Sequence, residues 1–382
     1  MKYLILRTAF LGALLSITSA CGGGHDPKSA NDPAGGTGGA STGGTGGAAG
    51  QSASGMPVPP GPGDVPRPSG TSANLRVLPW AGFSAGVSYT FDDSQPSQLE
   101  HWQELKATGI RMTFYINSVS NWAAGYDDTW RDALAQGHEI ANHTVHHCRP
   151  SELTDADTST CSNGLATVEE EIDQCTAYIA SPIGQPVVWT FAYPFGDLGY
   201  KAAASTRFFL ARGVQQGTIA PNDARDPFNL PIIGYAGDPT VPGGDPVTLF
   251  NMDIDTAVAQ GRWIIYLLHS ILPTTNNWFA GEDIAAITGS IEHAKGLGNV
   301  WLDSVVNIGA YWLGQRVVQA AVPATDDGKT TWTWTLPEHF PPGHFLRVAV
   351  DGGTLSQGQP LTWDGHGYYE VALDAGTLEW NP

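Results

Sequence analysis

Positive charge is scarce in this chain. Its 382 residues include 18 Lys and Arg against 37 Asp and Glu, which gives a formal net charge of −19. Because a strongly acidic protein repels polyanions, we do not expect duplex nucleic acid or acidic polymers as partners. The charge balance by itself identifies no substrate.

Cysteine is also sparse, with four residues and no CxxC spacing, so no zinc-thiolate site is expected. Cys148 and Cys161 flank the polar loop RPSELTDADTST and, in an oxidising compartment, are predicted to close it as a disulfide. Cys175 lies on the apolar face of the helical pattern VEEEIDQCTAYI and is predicted to be a buried thiol.

Long apolar runs are missing as well. The stretch at residues 9–15 is shorter than the roughly 20 residues that a membrane-spanning helix needs. Lys2 and Arg7 precede the apolar stretch and small residues follow it, so residues 1–20 are predicted to be a secretory signal. The sequence Thr-Ser-Ala-Cys resembles a bacterial lipoprotein cleavage site, which would make Cys21 the lipidated residue of an exported, cell-envelope lipoprotein. Ordinary secretion is the alternative.

Residues 21–75 are rich in Gly, Ser, Thr and Pro. Such a segment has too little apolar surface to offset the entropy of ordering it, so it is predicted to be a tether, stiffer in its Pro-rich second half. A lipid anchor followed by a tether would hold a globular domain away from a membrane surface, the membrane being contacted only through the anchor. We expect a monomer.

From about residue 84 the chain alternates strand-like and helical patterns, which predicts a parallel sheet. Seven or eight units within some 230 residues favour an α/β fold with a closed or distorted (β/α) barrel over residues 76–315. After Arg316, the segments TTWTWTL, FLRVAVDG and YYEVALDAG alternate apolar and polar residues. Residues 316–382 are therefore predicted to form a small antiparallel β module.

Titratable side chains that could take part in catalysis or metal binding follow several predicted strands. Asp92 and Asp93 follow the first strand, His143 follows the third, and His269 ends the seventh. Because barrels of this kind assemble their sites at the carboxyl ends of their strands, these side chains are expected on one face.

His143 and His147 are four residues apart, and with one carboxylate they would form an open two-His, one-carboxylate site for a divalent metal. Two neighbouring carboxylates repel, and the conflict is resolved if one ligates the metal while the other accepts a proton from water. Two alternatives remain at this point: the His pair could be structural, and Asp-Asp-Ser also suits the start of a helix.

Four motifs, TFDDS, HTVHH, FAYPFG and LLHS, occur in the order found in the polysaccharide deacetylases of carbohydrate esterase family 4. Over about residues 84–315 the chain resembles this NodB-like group. The resemblance implies a NodB-like barrel, a divalent metal (Zn²⁺ first, Co²⁺ or Ni²⁺ otherwise) and hydrolysis of N- or O-linked acetyl groups from a polysaccharide or oligosaccharide.

The resemblance also implies separate roles for the motif residues. Asp92 would be the base, and Asp93, His143 and His147 would ligate the metal. His269 would be the general acid that protonates the departing group.

Three further residues would contact the substrate by the same resemblance. The backbone N–H of Phe195 would face the developing oxyanion, Leu267 would form the wall of the pocket for the acetyl methyl group, and Tyr193 would be a further contact. Trp122, Trp278, Phe279, Trp332 and Trp334 are candidates for stacking on sugar rings, with packing in the core or in the C-terminal module as the alternative for at least half of them.

The chain departs from the family pattern at two positions. Ser94 stands where many members have Gly, and Ala192 stands where many have the Arg that pairs with the base. Arg212 and Arg225 are the candidates to replace that Arg. The departure at Ala192 supports an alternative function, a catalytically silent carbohydrate-binding protein that keeps the barrel and the metal.

Overall fold

The computed structural model describes residues 54–118, 126–153, 161, 165–234, 246–276 and 281–382. The predicted signal, most of the predicted tether and Cys21 lie outside the described residues, as do Trp122, Trp278 and Phe279. The chain divides after Ala48, and everything below concerns the unit Ala49–Pro382. Within the described ranges, no helix has both the length and the apolar character needed to cross a bilayer.

The strands in chain order are β1 (Arg76–Val77), β2 (Ala85–Asp92), β3 (Thr113–Ile116), β4 (Glu139–Asn142), β5 (Thr190–Ala192), β6 (Leu210–Gln216), β7 (Leu230–Gly234), β8 (Trp263–Leu268), β9 (Ser270–Leu272), β10 (Gly281–Asp283), β11 (Val300–Leu302), β12 (Ala324–Asp326), β13 (Lys329–Thr333), β14 (Phe345–Ala349), β15 (Thr354–Gln357), β16 (Gln359–Pro360), β17 (Trp363–Asp364), β18 (Tyr368–Ala372) and β19 (Thr377–Asn381). The helices are α1 (Pro96–Glu100), α2 (Trp102–Ala107), α3 (Asp127–Ala135), α4 (Pro150–Leu153), α5 (Val168–Tyr178), α6 (Lys201–Ala204), α7 (Pro246–Gln260), α8 (Ile284–Leu297) and α9 (Val305–Ala320).

Strands β2 to β8 form a closed parallel barrel. They pair in sequence order, and β2 closes the ring by pairing with β8 from Gly86 opposite Trp263 to Phe91 opposite Leu268. The edge of β2 that faces β3 is shared, since β11 pairs with residues 85–87 and β3 with residues 90–92. The prediction of a distorted (β/α) barrel with seven or eight units is confirmed.

The alternation of side chains along each strand separates an outer core from the barrel interior. On β2, Val87, Tyr89 and Phe91 belong to the main apolar core, together with residues of the surrounding helices. Ser88, Thr90 and Asp92 alternate with them and are all buried. The side chains that β2 turns into the barrel are therefore polar, and they lead from the amino-terminal end of the strand up to the predicted site.

The lower part of this interior is hydrogen-bonded around one carboxylate. Glu139 of β4 accepts hydrogen bonds from the hydroxyls of Thr113 (2.8 Å) and Thr190 (2.6 Å), and from the backbone N–H of Val306 (2.9 Å) at the start of α9. These bonds tie three strands to the helix that leads into the C-terminal part.

The C-terminal residues form two antiparallel sheets, in the strand orders β1-β14-β18-β17 and β12-β13-β19-β15-β16. The predicted antiparallel module is thus present, although one of its sheets recruits β1 from before the barrel. Trp332 and Trp334 are only 7% and 6% exposed and pack in an apolar core shared with Trp312 of α9. They are packing residues here, not exposed platforms for sugar rings.

Residues 54–77 lie against this module, although their composition predicted that most of them belong to the tether. Ser54 Oγ donates to Glu370 (2.8 Å), and the buried guanidinium of Arg347 donates to the carbonyl of Pro57 (2.8 Å) and to Glu370. The structure thus differs from the predicted boundary at residue 75. The composition gave no sign of these contacts because backbone carbonyls of a Pro-rich segment can accept hydrogen bonds whatever the side chains are.

Candidate active site

The aspartate pair ends β2 inside the barrel. Asp92 and Asp93 are 3% and 5% exposed, so the two carboxylates are not those of a solvated turn. The following helix is not capped by either residue, since the N-cap of α1 is Gln95 and it makes no side-chain cap bond. Asp93 and Ser94 both adopt left-handed backbone angles, with φ of 71° and 51°. This conformation accounts for the Gly that many family members have at position 94.

Asp93, His143 and His147 bring three ligand atoms together within 4.8 Å of one another. Asp93 Oδ1 lies 3.3 Å from His143 Nε2 and 3.5 Å from His147 Nε2. Among the described residues, no group meets this buried oxygen in hydrogen-bonding geometry. An unsatisfied buried carboxylate oxygen beside two imidazoles fits a divalent cation, and two imidazoles with one carboxylate are a donor set that zinc accepts. The three predicted ligand residues therefore fit a divalent metal ion such as zinc.

The loop from β4 that carries the two histidines is held by local hydrogen bonds. Asn142 Oδ1 accepts from Thr144 N (2.8 Å), and Thr144 Oγ1 accepts from His147 N (3.0 Å). Thr144 and His147 take left-handed backbone angles, with φ of 68° and 56°. His143 Nδ1 lies 2.8 Å from the carbonyl oxygen of Ala192, which directs Nε2 to the carboxylates.

A buried glutamate on α5 organises the same loop from behind. Glu171 is fully buried, and its carboxylate accepts from the backbone N–H groups of Val145 (3.0 Å), His146 (2.8 Å) and Leu165 (3.0 Å). It also contacts Nδ1 of His146 at 2.8 Å. His146 is therefore not a ligand but part of the support of the loop that carries both ligand histidines.

The charges in this cluster shift each other's pKa values. Burial would raise the pKa of Asp93, but the neighbouring imidazoles, His143 first, hold it well below its usual range. Burial would lower the pKa of His143, yet Asp92 and Asp93 raise it above its ordinary value. Burial, with the charge of His143, lowers the pKa of His147 to about 4. His147 is thus a neutral imidazole near neutral pH, the form that binds metals.

Arg212 of β6 supplies the cation that many family members have at the position of Ala192. Its guanidinium, 1% exposed, forms an ion pair with Asp92 and lies over the ring of Tyr115, 4.7 Å from the centroid. Position 212 is the register partner of Ala192 on the neighbouring strand. Partners in a parallel pair face the same side of the sheet, so an Arg at position 212 enters the space that the small Ala192 side chain leaves. Asp92 thus has a cation on one carboxylate oxygen, and His143 Nε2 lies 3.7 Å from the other.

The other candidates lie elsewhere. Arg225 pairs with Asp223 and donates to the carbonyl of Thr218, so it does not contact Asp92. Tyr193 is 1% exposed, and its hydroxyl donates to the carbonyl of Phe228 (2.9 Å). Its side chain is a core residue packed on Phe191, and the predicted substrate contact by this side chain is not what the structure shows.

His269 and Leu267 are at the end of β8, beside the aspartates. His269 Nε2 lies 3.8 Å from Asp93 Oδ2, and burial lowers its pKa. Leu267 is 9% exposed, two residues before it. The side-chain amide of Gln98 in α1 donates to the carbonyls of both Asp92 (2.7 Å) and His269 (3.0 Å), which fixes the ends of β2 and β8 relative to each other.

The third motif forms a tight turn beside the ligand loop. Phe195 has a left-handed backbone (φ 56°, ψ 13°), and its half-exposed ring lies 4.4 Å from that of His147. Cys148, which follows the ligand loop, forms a disulfide with Cys161, and Cys175 is a buried free thiol behind the site.

Two residues that support the site were not predicted from the sequence. Glu171 had a signal, because it lies three residues after Val168 and four before Cys175 on the apolar face of its helix. A Glu on such a face is rarely buried without partners. Gln98 had none, since its acceptors are backbone carbonyls from segments far apart in the chain.

Residues 84–209 match the family model for polysaccharide deacetylase. The match contains TFDDS, HTVHH and FAYPFG but ends before LLHS, so it confirms the resemblance over that segment. Three solved structures are also similar to the chain. A presumed polysaccharide deacetylase of Mycobacterium smegmatis is 15% identical over 64% of this chain and 96% of its own, with a TM-score of 0.44.

The second is the carbohydrate esterase family 4 domain of a multidomain xylanase from the hindgut metagenome of Trinervitermes trinervoides, 15% identical over 58% of this chain and 88% of its own, with a TM-score of 0.36. The third is the catalytic domain of a peptidoglycan N-acetylglucosamine deacetylase of Eubacterium rectale, 13% identical over 57% of this chain and 87% of its own, also with a TM-score of 0.36.

Proposed function

We propose that this protein is a metal-dependent hydrolase that removes acetyl groups from a polysaccharide or oligosaccharide. One observation carries the proposal: Asp92 is paired with Arg212 while its neighbour Asp93 faces two histidines with an unsatisfied oxygen. The two carboxylates thus have different environments, as a base and a ligand require.

The residues of the site divide the work as follows. A divalent ion held by Asp93, His143 and His147 would polarise the acetyl carbonyl and lower the pKa of water. Asp92 accepts the proton of the attacking water at its carboxylate. The backbone N–H of Phe195 donates to the carbonyl oxygen as it gains negative charge. His269 gives a proton to the departing amine or alcohol.

We propose Zn²⁺ as the metal, with Co²⁺ or Ni²⁺ able to replace it, because imidazole and carboxylate ligands suit these ions. The alternative function, a silent carbohydrate-binding protein, drew its support from Ala192. Arg212 weakens that support, since it supplies from β6 the cation whose absence at position 192 was the reason to doubt catalysis. Desolvation makes the burial of such an ion pair cost on the order of several kcal/mol per ion.

The setting of the enzyme is also a proposal. The signal-like residues 1–20 and the lipoprotein-like sequence before Cys21 support export and attachment to the cell envelope, with secretion as the alternative. A monomeric domain on a tether would then act on acetylated glycan near the membrane surface.

Acetate release from chitin oligomers, peptidoglycan and acetylated xylan, with Zn²⁺ or Co²⁺ added, tests the activity and distinguishes N- from O-deacetylation. Asp92→Asn is expected to lower kcat by about 10³-fold, the scale of a lost general base, while calorimetry shows that it still binds Zn²⁺. Asp223→Asn, which removes a carboxylate paired with Arg225 outside the site, is the matched control. No acetate from any glycan by the Zn²⁺-loaded protein would favour the binding alternative.

A further inference from the structure

Arg149 lies at the edge of the candidate site, stacked on the third-motif turn. Its guanidinium carbon is 4.1 Å from the centroid of the Phe195 ring, and that ring in turn contacts His147. We refer to Arg149 and Phe195 together as the rim. One face of the rim is continuous with the metal-ligand loop, and both of its side chains are exposed.

The backbone of the rim is fixed on both sides. Cys148, just before Arg149, is held by its disulfide, and its carbonyl accepts from the buried hydroxyl of Tyr200 (2.8 Å). Arg149 N donates to Glu152 Oε2 (2.7 Å), which caps the short helix that follows. Pro150 packs so closely on the turn that a Cβ at Gly199 would lie 2.7 Å from Pro150 Cγ. The guanidinium is therefore presented by a rigid support.

The turn holds the ring of Phe195 outward in a strained backbone conformation. Phe195 is 49% exposed, and its left-handed backbone is a conformation that costs a residue other than Gly about 1–2 kcal/mol. Leu198 and Val214 nearby are 41% and 43% exposed. An exposed aromatic ring with apolar neighbours suits the face of a sugar ring, and strain kept at such a position points to function.

Arg149 is one of four arginines that form no ion pair with a carboxylate within the described ranges, the others being Arg67, Arg262 and Arg316. Most other arginines of the described ranges form ion pairs with carboxylates, namely Arg76, Arg111, Arg131, Arg207, Arg212, Arg225 and Arg347. No carboxylate of the described residues forms an ion pair with Arg149, although the protein carries an excess of acidic groups. The nearby carboxylates of Glu152 and Asp197 accept from backbone N–H groups instead.

We propose that the rim is a subsite for a carboxylate-bearing sugar residue next to the acetylated one. The aromatic ring supports the guanidinium, whose N–H groups form no hydrogen bond with the described residues and are able to form the paired hydrogen bonds that a planar carboxylate accepts. The net charge of −19 disfavours a polyanion, so the glycan fitted best carries isolated carboxylates on an otherwise neutral backbone. The carboxylate could belong to a lactyl ether on an amino sugar or to a uronic acid side group. This inference rests on the proposed function for the identity of the reaction, but not for the binding itself.

The test compares oligosaccharides that share a backbone and differ in the carboxylate. Chitin oligomers are paired with oligomers that alternate N-acetylglucosamine and its lactyl ether, and acetylated xylan oligomers are paired with the same oligomers bearing glucuronate. The Zn²⁺-loaded full chain is expected to bind the acidic member of at least one pair about 10-fold more tightly, the scale of 1.4 kcal/mol. Which pair shows the preference identifies the source of the carboxylate.

Arg149→Met keeps the stem that packs on Phe195 and removes the charge, so the ratio of affinities is expected to fall to about 1. Arg149→Lys should retain part of the preference. Arg131→Met, at an exposed arginine paired with Asp128, should leave the ratio unchanged. Melting temperatures verify that all three variants are folded.

Binding is measured by calorimetry, apart from acetate release. A preference that depends on Arg149 in a protein that releases no acetate would uphold the subsite and refute the proposed reaction. Acetate release with an acidic-to-neutral ratio that Arg149→Met does not change would refute the subsite alone. Equal binding of both members in both pairs, or no binding of either acidic member, would also overturn it.

Discussion

Buried carboxylates at the two ends of the barrel interior differ in the hydrogen bonds that they accept. At the amino-terminal ends of the strands, Glu139 is surrounded by three hydrogen-bond donors. At the carboxyl ends, the equally buried Asp93 Oδ1 meets no donor in hydrogen-bonding geometry among the described residues. A satisfied carboxylate contributes to the fold, whereas an unsatisfied one costs free energy unless something else binds it. The difference identifies the end of the barrel that is built for a ligand.

Left-handed backbone angles at residues other than Gly are found at both ends of the barrel, more of them at the carboxyl ends. They occur at the carboxyl ends in Asp93, Ser94, Thr144, His147 and Phe195, and at the amino-terminal end in Trp80 and Ala81, in the turn before β2. At the amino-terminal end as well, Asp303 after β11 pairs with Arg111, accepts from Ser304 N (2.8 Å) and accepts from Asn307 (2.7 Å). Five of these seven left-handed residues thus surround the proposed site, where backbone strain is often kept for function.

Removal of Arg212 is expected to have the largest effect on activity and stability, because it would leave Asp92 buried and unpaired. Arg212→Met is expected to lower kcat/KM for acetate release by about 10²-fold or more, on the scale of a misplaced general base. It should also lower the free energy of unfolding by about 3–5 kcal/mol, the usual effect of breaking a buried ion pair. Urea unfolding and acetate assays on the same preparation measure both effects.

Two controls separate positioning from folding. Arg225→Met removes a partly exposed pair with Asp223 and should change both quantities little. Asp92→Asn/Arg212→Met should recover much of the lost stability without recovering activity, because no buried charge remains unpaired. If Arg212→Met kept wild-type activity with Zn²⁺ bound, the base would be positioned by something other than Arg212.

Glu171 allows a smaller change at the site end without touching a ligand. Glu171→Gln replaces a carboxylate that accepts three backbone N–H groups, so the loop carrying His143 and His147 should become less ordered. Zn²⁺ affinity is expected to fall about 10- to 100-fold, as for other residues that orient metal ligands. Competition with a chromogenic chelator measures it directly. Glu169→Gln, at an exposed position on the same helix, should leave the affinity unchanged, and an unchanged affinity in Glu171→Gln would show that the local hydrogen bonds alone order the loop.

Much of this architecture could be predicted from the sequence, for identifiable reasons. The barrel followed from the alternation of buried strand runs with helical patterns, and the gathering of Asp92, Asp93, His143 and His269 followed from their places after strands. Both inferences need only local periodicity and the rule that parallel strands end at one face.

What could not be predicted depends on contacts between distant segments. Arg212 and Arg225 were equal candidates because nothing local shows that position 212 pairs with Ala192. The family resemblance implied a substrate contact for Tyr193, but the side chain packs in the core, where its hydroxyl donates to the carbonyl of Phe228. The attachment of residues 54–77 to the C-terminal module involves bonds such as that from Arg347 to the carbonyl of Pro57, 290 residues away, and left no trace in composition.

The pH dependence of stability sharpens the comparison further. Burial raises the pKa of Glu139 from its ordinary 4.5 to about 7, despite its hydrogen bonds, whereas the pKa of Asp93 is lowered. Between pH 4.5 and 7 the folded protein holds a proton on Glu139 that the unfolded chain has lost. The stability from Glu139 is therefore fully present below pH 4.5 and is lost as the pH rises towards 7, by about 3 kcal/mol in total.

Glu139→Gln removes this titration, so the difference in unfolding free energy between variant and wild type should shift by about 3 kcal/mol in favour of the variant from pH 4.5 to 7.5. Urea unfolding at several pH values provides the measurement, and Glu169→Gln is the control that should show no such shift. A difference that stays constant with pH would mean that Glu139 is ionised throughout, because its three donors then outweigh burial. In that case the two ends of the barrel would differ in hydrogen bonding alone and not in the charge they hold near neutral pH.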